Sequence, residues 1–152
     1  MTPVELAREI DIEFEAIQMT VDELTLLRHD VAQREPSVRE LAAAGLFLAN
    51  FYNGIENVLK RICRFHQIQL PAGSDWHIAL ISAFCDPPQY GLPLLLDDRL
   101  ADELAPYRQF RRVVHHGYGF RLRWQDMRAG VESTGEIFAK FRNRVEAYLG
   151  GL

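Results

Sequence analysis

Arg111, His116 and Tyr118 fall within eight residues of one another, in the stretch Tyr107-Arg-Gln-Phe-Arg-Arg-Val-Val-His-His-Gly-Tyr118. Arginine carries a permanent charge on a planar fork of donors that matches a phosphate. Histidine is the side chain most readily set to move a proton near neutral pH. A fixed pair of the two is minimal equipment for breaking a phosphodiester without a metal. Cleavage of an RNA backbone through the 2′-hydroxyl needs a base for that hydroxyl, an acid for the departing 5′-oxygen, and stabilisation of the charge on phosphorus. His116 is a candidate base or acid, and Arg111 a candidate charge stabiliser. One histidine does not easily perform both proton transfers in a turnover, so a two-fold dimer would serve by bringing a second copy of the motif into the same cleft. The products would be a 2′,3′-cyclic phosphate and a 5′-hydroxyl.

Helical geometry complicates the pairing. Residues five apart diverge by about 140° around a regular helix. The pairs that share a face are Arg112 with His116, and Arg108 with Arg111, Arg112 and His115. Spacing alone therefore leaves Arg112, His115 and Arg108 open as supporting residues. The net charge of −4 argues weakly against a polyanionic partner, but its distribution argues for one. Residues 107–128 hold six arginines against the single acid Asp126. Such a patch on an acidic body is the footprint of a polyanion site, or else a solvated helix end with its arginines paired to acids.

The elements that must position these residues are all helical. Thr2-Pro-Val-Glu5 reads as a capping box with proline at the first helical position. Ile10, Phe14, Ile17, Val21, Leu24, Leu27 and Val31 then recur at three-four spacing, and Pro36 predicts a stop. Ser37-Val-Arg-Glu40 repeats the capping box and opens a second long helix to about Gln67. Ser74 is the predicted cap of a short helix through about Phe84. Asp86-Pro-Pro-Gln-Tyr-Gly-Leu-Pro93 cannot be regular helix. A further helix runs from about Asp97 to the histidines, with a kink or division predicted at Pro106 and an end at Gly117 and Gly119. The last spans about Trp124 to Leu149, with Met127, Val131, Thr134, Phe138, Phe141, Val145 and Tyr148 inward. Gly150-Gly-Leu152 reads as a frayed tail. The fold class is all-α: one domain over residues 1–152, a bundle of four main helices plus a short one.

Composition excludes several classes. Hydrophobic residues at 48% and charged residues at 25% are ordinary for a globular chain. No run approaches the roughly 20 apolar residues of a membrane span, and the N-terminus lacks the pattern of a signal peptide, so the expected location is cytoplasmic with no membrane partner. Cys63 and Cys85 read as small buried hydrophobes. His29, His66 and His77 lie on separate elements without metal-ligand spacing, so no metal and no cofactor are expected. Trp76 and Trp124 read as core or loop anchors.

Arg111-x4-His116-x-Tyr118 at a helix end resembles the motif of HEPN-domain ribonucleases, in particular the HepT-like toxins. Phe51-Tyr-Asn-Gly-Ile-Glu-Asn-Val-Leu-Lys-Arg61 resembles that family's central helix, and Ser74-Asp-Trp-His-Ile-Ala-Leu80 the short helix that often follows it. The resemblance implies a HEPN-like bundle and a metal-independent endoribonuclease toxin of a type VII-like toxin–antitoxin pair, catalysed by Arg111 and His116. It also implies a homodimer with the motifs facing across an RNA-binding groove. Its partner would be a nucleotidyltransferase antitoxin that adds AMP to the motif tyrosine, here Tyr118. The added bulk and phosphate charge would block the groove. Glu56 would orient Arg111; read from its own helix, it is a surface partner of Lys60 at i,i+4. Two departures from the pattern stand out: Arg112 replaces the small polar residue, often Asn, that follows the motif arginine, and the histidine is doubled. Two other readings stay open. One is a non-catalytic HEPN module that binds a nucleotide or a nucleotidyltransferase. The other is a helical dimerisation scaffold.

Overall fold

In the computed structural model, described over residues 1–70, 72–117 and 122–152, both long N-terminal helices start on reciprocal capping boxes. α1 spans Pro3–Asp30. The Thr2 hydroxyl accepts from the Glu5 amide at 3.2 Å, and the Glu5 carboxylate accepts from the Thr2 amide at 2.7 Å. α2 spans Val38–Phe65, with Ser37 and Glu40 joined in the same way, and Arg34 clamps the Glu40 carboxylate at 2.6 and 2.8 Å. α3 is Trp76–Ala83, α4 Asp98–His115 and α5 Trp124–Gly150. No strand occurs among the described residues. No helix there is long and apolar enough to cross a membrane.

α2 is the axis of the bundle and packs against α1, α3, α4 and α5. Phe51, Ile55, Val58, Leu59 and Ile62 are wholly buried on it. The predicted stripe of α1 from Ile10 to Val31 is buried, as is that of α5 apart from the half-buried Tyr148. Gly54 lets α1 approach α2 closely, since a Cβ there would lie 2.4 Å from Ile17 Cγ1. The Asp97 side chain caps α4 at the Leu100 amide (2.8 Å), and Arg144 of α5 holds the same carboxylate at 2.6 Å.

Four local expectations are corrected. α2 stops at Phe65 because Gln67 adopts a left-handed backbone (φ 59°); the Gln67 and Ile68 amides then close on the carbonyls of Arg64 and Cys63. Asp75, not Ser74, holds the N-cap position of α3, and no side chain caps it. Pro106 does not divide α4. It is exposed, so the Asp102 carbonyl that loses its amide partner lies on the solvent side of the helix. The C-terminal tail is bonded onto α5, with the Gly151 and Leu152 amides donating to Tyr148 and Leu149. Cys63 is buried, which pushes its thiol up to about 11, whereas Cys85 is half-buried and donates to the Ile81 carbonyl.

Candidate functional site

Two aromatic contacts fix the face that α4 turns to α2. Tyr107 packs on Phe51 with ring centroids 5.1 Å apart, and its hydroxyl donates to the Gly130 carbonyl of α5 at 2.6 Å. Arg111 follows Tyr107 by four residues and therefore also points at α2. Its Nε donates to Asn53 Oδ1 at 2.6 Å and stands 3.9 Å from Glu56 Oε1. The other oxygen of Glu56 meets His77 Nδ1 of α3 at 2.5 Å. One buried carboxylate, 1% exposed, thus stands between Arg111 and His77. Tyr52 lies beside it; burial, and then the Glu56 charge, raise its phenol above the usual range.

Only Nε of Arg111 is engaged. Neither terminal nitrogen has a hydrogen-bond partner among the described residues, and no buried side-chain nitrogen or oxygen there lacks one. The two terminal nitrogens are therefore open to solvent. The same arithmetic that makes residues five apart diverge is visible in the geometry: Arg111 is half-buried against α2 while His116 is exposed. His116 is the C-cap of α4, and Gly117 beyond it turns the chain at φ 74°. His116 Nδ1 contacts the Arg112 carbonyl at 2.7 Å. A carbonyl oxygen only accepts, so Nδ1 carries the proton, and the neutral ring then has its lone pair on Nε2.

Of the supporting candidates, Arg108, Arg112 and His115 are exposed on α4. Arg108 and Arg112 form no ion pair among the described residues. Arg123 and Arg128 are paired to Asp126 and Glu132 at 3.0 and 3.1 Å, so the solvated-helix reading holds for those two. Tyr118 and Arg121 lie outside the described residues. No group of three or more His, Cys, Asp or Glu side chains among the described residues is arranged to hold a metal ion. His66 contacts the Tyr148 hydroxyl at 2.5 Å, far along the chain from the motif.

Sequence reasoning missed Asn53 and His77. A signal existed for the α2 residues. Tyr52, Glu56, Leu59 and Cys63 form one buried stripe at three-four spacing, so Glu56 replaces an apolar residue on the inner face and is not a surface partner of Lys60. Nothing local marks His77 as its partner, because the contact joins residues 21 apart across a loop.

Residues 43–152 match the family model described as HepT-like protein, a span that holds the Asn53–Glu56 notch, α3, the motif helix and α5. Comparisons with curated proteins and with solved structures find no match.

Proposed function

The chain belongs to the HepT-like protein family, and from that premise we propose that it is an endoribonuclease toxin that cleaves RNA without a metal. The observation that carries the reading is the state of Arg111. Its inner nitrogen is tied to Asn53, its carboxylate counterpart Glu56 is buried behind it, and both terminal nitrogens are open. This is how a guanidinium is held ready for an anion that is not part of the fold. Arg111 would grip the non-bridging oxygens of a phosphate. His116 would exchange a proton with the 2′-hydroxyl or the 5′-oxygen as the 2′-oxygen bonds to phosphorus and the P–O5′ bond breaks. The exposed Arg108 and Arg112 would hold neighbouring phosphates.

The same reading gives the chain a second copy of itself, cytoplasmic residence, and a nucleotidyltransferase antitoxin as partner. That enzyme would transfer AMP from ATP to the Tyr118 hydroxyl and release pyrophosphate. The adduct would set a phosphate charge two residues from His116 and compete with the substrate for Arg111.

The test is cleavage of RNA by the purified protein in EDTA, with analysis of the ends. Cyclic phosphate and 5′-hydroxyl ends are expected, and His116→Ala should lower the rate by at least about a hundredfold. An unchanged rate in that variant would remove His116 from the chemistry. Binding of RNA without cleavage would favour the non-catalytic module.

A further inference from the structure

Resting on the ribonuclease reading, we propose that His77 is a second proton-transfer side chain of the Arg111 site. His77 Nδ1 lies 2.5 Å from Glu56 Oε2. A carboxylate only accepts, so Nδ1 carries the proton and the lone pair of the neutral ring sits on Nε2. Nε2 has no hydrogen-bond partner among the described residues. No buried side-chain nitrogen or oxygen there lacks one, so Nε2 is reached by solvent. The ring is otherwise confined. Trp76 lies against it with ring centroids 3.5 Å apart and planes tilted by 34°, and Lys60 lies 4.2 Å over the Trp76 ring.

Glu56 joins this imidazole to the arginine. Its Oε2 holds His77 and its Oε1 faces Arg111 Nε at 3.9 Å, so one buried carboxylate positions a charge stabiliser and a proton carrier together. A buried carboxylate behind an Nδ1–H, with Nε2 turned to solvent, is the arrangement that sets an imidazole for proton transfer. The charged group in direct contact with the ring is Glu56 from α2; Tyr52 of α2 and Arg111 of α4 face the same carboxylate, and Lys60 lies over Trp76. In the cleavage step one imidazole accepts the 2′-hydroxyl proton. The other, entering as imidazolium, gives its proton to the 5′-oxygen as the P–O5′ bond breaks. Solvent restores both. His77 would fill one of these two places and a motif histidine the other.

A histidine that merely satisfies Glu56 would need only its Nδ1, and asparagine separates the two roles. In His77→Asn the side-chain amide can donate to Glu56 as Nδ1 does, but nothing replaces Nε2. Cleavage rates in EDTA and melting curves are to be compared for the wild type, His77→Asn and His77→Ala. His77→Asn is expected to melt like the wild type and to cleave about a hundredfold more slowly. His77→Asn at the wild-type rate would overturn this role alone. A wild type that cleaves nothing would overturn the ribonuclease reading and this role with it. A third readout needs no substitution: on titration of the wild type with a 3′-mononucleotide, the ring nitrogen signal of His77 Nε2 should shift, and a signal that stays put overturns the proposal.

Discussion

Two arginines sit at contacts of α2 with nearly equal exposure, 24% for the side chain of Arg61, on α2 and facing α1, and 21% for that of Arg111, on α4 and facing α2, and they are used differently. Arg61 is saturated. Its Nε and one terminal nitrogen donate to Glu13 at 3.1 and 2.8 Å, and the other terminal nitrogen donates to Glu9 at 2.7 Å. This clamp fastens α1 to α2. Arg111 spends one nitrogen on a neutral amide, and its carboxylate counterpart stands 3.9 Å away, also holding a histidine. A guanidinium whose three nitrogens are all engaged by the fold contributes to the fold; one whose terminal nitrogens face water is free to bind. The contrast separates the clamp from the site even though both use the same residue type at a contact of α2.

The sharpest way to break the comparison is to remove the carboxylate from each side. Glu56→Ala leaves His77 and Arg111 without their shared buried anion, and should lower stability by about 2–3 kcal/mol and cleavage by about a hundredfold. Glu13→Ala leaves Arg61 with Glu9 and access to water. It should cost at most about 1 kcal/mol and leave cleavage unchanged. Equal loss of cleavage in the two variants would dissolve the distinction. A smaller effect tests the packing of α1 on α2, the contact that the Arg61 clamp spans. A methyl group at Gly54 would drive into Ile17, so Gly54→Ala should lower stability by about 1–3 kcal/mol in denaturant melts. Gly150→Ala, with nothing within reach of the added carbon, should not destabilise.

The fold was legible in the sequence wherever the signal was local. The two capping boxes, the α1 stripe and the glycine turn after His116 each rest on residues within four positions of one another. The site was legible in part. Arg111 and His116 stand in the chain's own pattern, whereas the contact of Glu56 with Arg111 was expected only from the family resemblance. Asn53 and His77 reach Arg111 and Glu56 over separations of 58 and 21 residues, and no periodicity encodes a pair that meets only after helices pack. Pro106 does not divide α4: the Asp102 carbonyl that it leaves without an amide partner lies on the exposed face, where water can meet it.

The smallest expected effect belongs to a cap far from the site. Arg34 and the Ser37 cap pull Glu40 from its usual 4.5 to about 2 in the folded chain. Because the folded value is the depressed one, the cap's contribution is complete above about 4.5 and is lost as the pH falls towards 2. Glu40→Gln should therefore flatten the acid limb of stability over that window and leave the neutral rate of cleavage untouched. An unchanged acid limb in that variant would show the cap to be energetically silent.

The central claim is that Arg111 is held open for a phosphate while Arg61 is held closed for the fold. It is tested most directly by the rates of RNA cleavage in EDTA for Arg111→Ala and Arg61→Ala, measured side by side with their melting curves. The account predicts a loss of about 100- to 1,000-fold in Arg111→Ala with little change in Tm, and a lowered Tm with an unchanged rate in Arg61→Ala. Full cleavage by Arg111→Ala, or an equal loss of rate in both, would contradict it.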